Sequence, residues 1–183
     1  MSVEVVPEAF RFVAFDSAYI ARIAEHLVAQ FGLQSHNFRV EVDETTPLGR
    51  ISVELGEPIL LKIQSGAFED TRRPRQQSEL ATTRSLGRAL LKARDRLSPD
   101  FANAPADDAL TLPQVAVWDT YIVSRLSRAK IDINQQQWRY NFRNRHGFTD
   151  VSDATFDKVW ATENLTWEQL NQLSQDALSA VTA

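Results

Sequence analysis

Along this chain the spacing of apolar positions is helical at first, then strand-like, then helical again. Asp16 is a good helix N-cap, and Ile20, Ile23, Ala24, Leu27, Val28 and Phe31 follow at three- and four-residue intervals. Gly32 supplies the stop, so the pattern predicts a helix over about 16–32. Ahead of it, Phe10-Arg11-Phe12-Val13 reads equally as a short strand or an extra turn. In Phe38-Arg39-Val40-Glu41-Val42-Asp43 apolar residues alternate with charged ones, as in a strand with one buried and one wet face. Ile51, Val53 and Leu55 alternate in the same way, and so do Ile59, Leu61 and Ile63. Pro47 with Gly49, and Gly56 with Pro58, mark the turns between these runs. Three alternating runs joined by short turns predict an antiparallel meander, with helices covering one face.

From Arg75 to Leu97 the period is helical, with Leu86, Leu90, Ala93 and Leu97 as a narrow stripe that Leu80 and Thr83 extend. Residues 98–111 are rich in Pro, Ala and Asp and read as a linker or loop. Beyond them Pro113 suits a first helical position, and Val115, Trp118, Ile122 and Leu126 line one face. A helix is predicted from about Gln135 to Arg145, stopped by Gly147. Another starts at Ser152 as its cap, and a last one at the Thr166–Gln169 capping box. The expected class is α+β: a helix, a three-stranded meander and a long helix over 1–97, then a helical region over 112–183 packed on that core as one unit.

Composition narrows the setting. The 183 residues are 43% hydrophobic and 24% charged, near globular averages. There is no cysteine, which removes disulfides, thiolate metal sites and cysteine nucleophiles together and suits a reducing, cytoplasmic setting. The opening MSVEVVPEAF carries two glutamates and no basic stretch, so no signal peptide is expected. Apolar runs such as Ile59-Leu60-Leu61 fall far short of a membrane span, and no membrane association is expected.

The net charge of −4 is unevenly spread. Residues 1–70 carry −6, 71–96 carry +6, 97–124 carry −4, 125–148 carry +5 and 149–183 carry −5. In the first basic block Arg84, Arg88, Lys92 and Arg96 recur every fourth residue, and like charges at that spacing repel. Arg72, Arg73 and Arg75 crowd the start of the predicted helix, where the backbone dipole disfavours cations. Salt bridges, solvation or an anionic partner along the ridge must offset this. In the second block, Trp138-Arg139-Tyr140-Asn141-Phe142-Arg143-Asn144-Arg145-His146, helical geometry puts Trp138 and Phe142 on one face as core anchors. Arg139, Arg143 and His146 share another sector, a pairing of basic and aromatic groups that also suits phosphate contact.

Chemical motifs are sparse. His26, His36 and His146 are far apart, and His26, beside the apolar stripe of the first helix, reads as structural. No HExxH, P-loop, GxGxxG or GxSxG occurs, so neither a metal nor a cofactor is expected. The order of elements from Asp16 to Leu97 resembles that of small bacterial zincin-like proteins, in which a helix and a short sheet precede a helix bearing HExxH. The matching stretch here is Arg84-Ser85-Leu86-Gly87-Arg88, with arginines at both ligand positions and serine at the general-base position. The resemblance implies that fold without its metal chemistry, because guanidinium stays protonated and repels Zn²⁺.

Three readings of function follow. The first is a non-catalytic interaction protein whose basic helix surfaces, Arg84, Arg88, Lys92, Arg96, Arg139, Arg143 and His146, meet an acidic protein or another anion. The second is a nucleic-acid binder through the 84–96 and 138–146 helices. The third is an enzyme whose site is assembled from residues distant in sequence.

Overall fold

The computed structural model describes residues 2–181. Its elements run β1 (Val3–Val6), α1 (Ser17–Gln30), β2 (Phe38–Asp43), β3 (Ile51–Glu54), β4 (Ile59–Gln64), β5 (Glu69–Asp70), β6 (Arg73–Gln77), α2 (Glu79–Leu97), α3 (Leu112–Arg128), α4 (Gln135–His146), α5 (Asp150–Ala161) and α6 (Trp167–Ser179). Single 3-10 turns lie at Ser65–Ala67 and Pro99–Phe101. The class is α+β. The chain divides between Arg94 and Asp95, inside α2, into an N-terminal and a C-terminal unit.

In the N-terminal unit α1 starts where Asp16 accepts the Tyr19 N–H at 3.1 Å. It carries the chain from β1 to β2 and packs beside β1, burying Ile20, Ala24, Leu27 and Val28. His26 lies on its exposed side, not in the core. The sheet is mixed, in the order β1-β2-β4-β3. β1, β2 and β4 run parallel to one another, with Val3 opposite Phe38 and Phe38 opposite Ile59. β3 is antiparallel to β4 at the far edge.

This corrects the expected meander. The β3–β4 pair is antiparallel as predicted, but β2 pairs with β4 instead of β3. Burial accounts for the exchange. Phe38, Val40 and Val42 of β2 and Ile59, Leu61 and Ile63 of β4 are all buried, whereas β3 buries only Val53. The two strands with the larger apolar faces lie side by side in the middle, and the weaker one takes the edge. Each side chain of this kind contributes roughly 1.5–3 kcal/mol when fully buried.

A second correction concerns the start of α2. Residues 73–77 are strand β6, paired with β5, and the helix begins only at Glu79. The Ser78 side chain accepts the Ala81 N–H at 3.1 Å, so Ser78 is the cap. Pro74 disfavours helix at Arg73, and Arg75 adopts a left-handed φ of 63°. Within α2, Leu86, Ala89, Leu90, Leu91 and Ala93 are buried, while Leu80 and Leu97 at its ends are exposed.

The C-terminal unit is helical. A Thr111–Gln114 capping box opens α3, Asn134 caps α4, and the predicted Thr166–Gln169 box opens α6. α5 is capped by Thr149, not by Ser152, which is buried in its first turn. The core centres on Trp118, stacked on Phe101 at 5.2 Å and tilted against Trp167 at 5.3 Å. Phe101 belongs to the 98–111 stretch, which therefore contributes to this core besides connecting two helices.

Candidate functional site

The cations singled out in the sequence have separate fates. On α2, Lys92 is only 8% exposed, Arg84 and Arg88 are half-buried, and none of the three is without a partner. Arg96 is ion-paired with Asp107, donates to Pro105 O at 2.8 Å and lies over the Trp118 ring. On α4, Arg143 forms two hydrogen bonds to Asp153, at 2.7 and 2.6 Å. Arg139 pairs with Asp157 and covers the Phe156 ring at 4.5 Å. The carboxylates come from α5, so the acidic block at 149–183 neutralises these two arginines of the basic block before it. Arg143 in turn holds the Asp153 carboxyl below its ordinary range. Ser85, in the stretch resembling a zincin helix, donates to Ala67 O at 2.7 Å. Among the described residues no three His, Cys, Asp or Glu side chains gather as a metal site.

His146 is not at the surface at all. It is fully buried, stacked on Phe142 at 3.9 Å, with Nδ1 3.2 Å from Phe142 O and Nε2 2.7 Å from Ser174 Oγ. A carbonyl can only accept, so Nδ1 carries the proton and Nε2 accepts from the Ser174 hydroxyl. A serine hydrogen-bonded to histidine is the core of a nucleophilic site. Here both groups are sealed in the core, at 0% and 1% exposure, and the pair serves to satisfy buried polar atoms.

Desolvation pushes the His146 pKa below its ordinary value, and the Phe142 carbonyl offsets this only in part. The unfolded chain, with imidazole near 6.5, therefore binds a proton that the folded chain resists. The C-terminal unit should hold its stability above about pH 6.5 and lose it as pH falls from there towards the lower folded-state value. Urea unfolding of wild type and His146→Gln at pH 7.5 and 5.5 checks this. The wild type should lose stability between the two, and the variant should lose less.

Uncommitted cations lie elsewhere, on the β5–β6 hairpin. Arg72, Arg73 and Arg75 are all exposed and make no ion pair among the described residues. The hairpin is fixed at its base: Asp70 accepts the Arg72 N–H at 2.8 Å and Glu69 the Arg75 N–H at 3.1 Å. Ala14 donates to Arg75 O at 2.8 Å, which lays the 11–14 segment beside β6.

Next to the hairpin is a groove of about 290 Å³ lined by Phe12, Val13, Glu44, Pro47, Ser65, Glu69, Pro74 and Arg75, among others. Its walls are the segments that follow β1, β2 and β4, so it opens beyond the carboxyl ends of the three parallel strands. Sheets of this kind place ligands there. One Glu44 oxygen accepts the Arg11 and Phe12 N–H groups at 2.8 and 2.7 Å, tying two walls together. Ser65 Oγ donates to Thr46 O at 2.9 Å and joins a third. Sequence reasoning missed this region because its residues are scattered over five segments and belong to no motif. The one legible signal was the cluster Arg72-Arg73-Pro74-Arg75, which a helical reading assigned to α2.

Compared with known proteins, the chain matches no family model, no curated protein and no solved structure. Among the described residues no helix is long and apolar enough to cross a membrane.

Proposed function

We propose that this chain is a non-catalytic interaction protein that captures a short acidic segment of a partner protein on the β5–β6 hairpin. The observation that carries the reading is three exposed arginines within four residues, Arg72, Arg73 and Arg75, none ion-paired among the described residues. Arg139 and Arg143 of α4 face carboxylates of their own chain and have little left to offer a partner. The hairpin holds its arginines on a fixed backbone, which lowers the ordering cost of binding. Its small footprint favours a short anionic stretch over a nucleic acid. A longer polyanion would run onto Asp43, Glu44, Glu69 and Asp70, and the whole chain is acidic.

A fluorescent Asp/Glu-rich peptide titrated at low salt tests this. The Arg72→Ala/Arg73→Ala variant should bind about tenfold more weakly, from roughly 0.2–1 kcal/mol per exposed ion pair. Arg145→Ala, which removes an exposed arginine of α4, should bind as the wild type does. Equal binding by all three proteins, or capture of a single-stranded oligonucleotide in preference to the peptide, would overturn the reading.

A further inference from the structure

The groove beside the hairpin carries charges of both signs that do not meet. Arg75, Glu44 and Glu69 line the same 290 Å³, yet the Arg75 guanidinium makes no ion pair with either carboxylate. Each carboxylate instead accepts backbone N–H groups. Glu44 is anchored through one oxygen to the Arg11 and Phe12 N–H groups, and its other oxygen accepts no hydrogen bond among the described residues. Glu69 uses one oxygen for the Arg75 N–H at 3.1 Å. Its other oxygen lies 3.4 Å from Ser65 Oγ, whose single proton is better placed on Thr46 O at 2.9 Å. Arg75 is held in the left-handed region at φ 63°, a conformation that costs a non-glycine residue energy and clusters at ligand sites.

From these observations we infer that the groove binds a small zwitterion of α-amino-acid size with an apolar side chain. The unfilled acceptors of Glu44 and Glu69 match an ammonium group, and the Arg75 guanidinium matches a carboxylate in a two-bond fork. Phe12, 56% exposed, lines the groove with Val13, Pro47 and Pro74 and gives the apolar part of the ligand a seat. The volume of about 290 Å³ lies just below the range for small-molecule sites, roughly 300–1,000 Å³, which sets the size class. A purely cationic ligand would leave Arg75 unanswered, and a purely anionic one would face two carboxylates. The zwitterion satisfies all three.

Calorimetric titration of the wild-type chain with leucine, phenylalanine and methionine, each beside its N-acetyl and its amide form, tests the assignment. At least one free amino acid should bind at millimolar concentration. Its N-acetyl form, without the ammonium, and its amide, without the carboxylate, should each bind at least tenfold more weakly. Glu44→Gln should weaken the free amino acid. Arg75→Asn, which suits a left-handed backbone, should weaken the free amino acid and leave the amide unchanged. No heat from any of the three amino acids, or equal binding of the charged and capped forms, overturns the inference, and neither result depends on a variant folding. Acidic-peptide capture should survive Glu44→Gln, so the groove and the hairpin can fail separately.

Discussion

Replacing Asp95 by alanine should destabilise the C-terminal unit by about 3–5 kcal/mol, the usual cost of breaking a buried ion pair from one side. Asp95 is 4% exposed and accepts three hydrogen bonds. Two come from the Arg125 guanidinium, each at 2.6 Å, and one from the Trp118 indole N–H at 2.8 Å. Alanine leaves the arginine largely buried with its main counter-charge gone and takes the Asp95 carboxylate away from the indole N–H. The double replacement Asp95→Leu/Arg125→Met removes both charges and should recover most of the loss, because apolar residues of similar volume often equal a buried pair. The readout is clean. All four tryptophans, Trp118, Trp138, Trp160 and Trp167, lie beyond Arg94, so their fluorescence during urea unfolding follows this unit alone. A single alanine variant within 1 kcal/mol of the wild type, an estimate typical of a surface pair, would contradict the buried role.

The second large effect concerns Gly66→Ala in the N-terminal unit. A methyl group at that position would lie 1.9 Å from Pro47 O, 2.6 Å from Pro47 C and 2.7 Å from Leu48 O. All three are backbone atoms, so the loop that follows β2 has to shift. The same loop holds the Ser65 hydroxyl through Thr46 O. Overpacking of this kind costs about 1–3 kcal/mol, and contacts this short place the substitution at the upper end. Hydrogen exchange of the β3 and β4 amides should accelerate. Gly56→Ala is the control: its methyl would meet only Pro58 O, at 3.3 Å, and exchange there should change little.

Helices and their ends were the legible part of this sequence. Asp16, Gly147 and the Thr166–Gln169 box acted where their chemistry said they would, because a cap is a local event of four residues. Ser78 and Thr149 carry the same chemistry, but a better-looking neighbour hid each of them: the basic run before Ser78, and Ser152 after Thr149. Strand existence was legible as well. Strand order was not, since alternation records which face of a strand is buried and says nothing of its neighbour. β2, β3 and β4 share one pattern, and only the summed apolar area of β2 against β4 decides the pairing.

The basic blocks were legible as charge and not as surface. Arg139 and Arg143 looked available because their partners, Asp157 and Asp153, lie on the next helix. His146 looked like part of a polar sector because helical angle alone does not record that Ser174, in α6, closes over it. For the groove, periodicity had no purchase: loops after three strands meet there, and their meeting is a product of parallel topology.

That topology also sets the order of assembly. Val3 must find Phe38, and Phe38 must find Ile59, before the central strands gain anything, and each pairing closes a long stretch of chain first. Beyond Arg94 the helical hydrogen bonds each span only four residues, although Trp118 must still find Trp167 across the chain between α3 and α6. Those helices can form before any strand is paired, while the sheet waits on closure of the chain between its partners. While β2 and β4 wait for each other, Val40, Val42, Leu61 and Ile63 stand uncovered. The interval before the sheet closes is when the nascent protein is most open to self-association, and a chaperone would act there first.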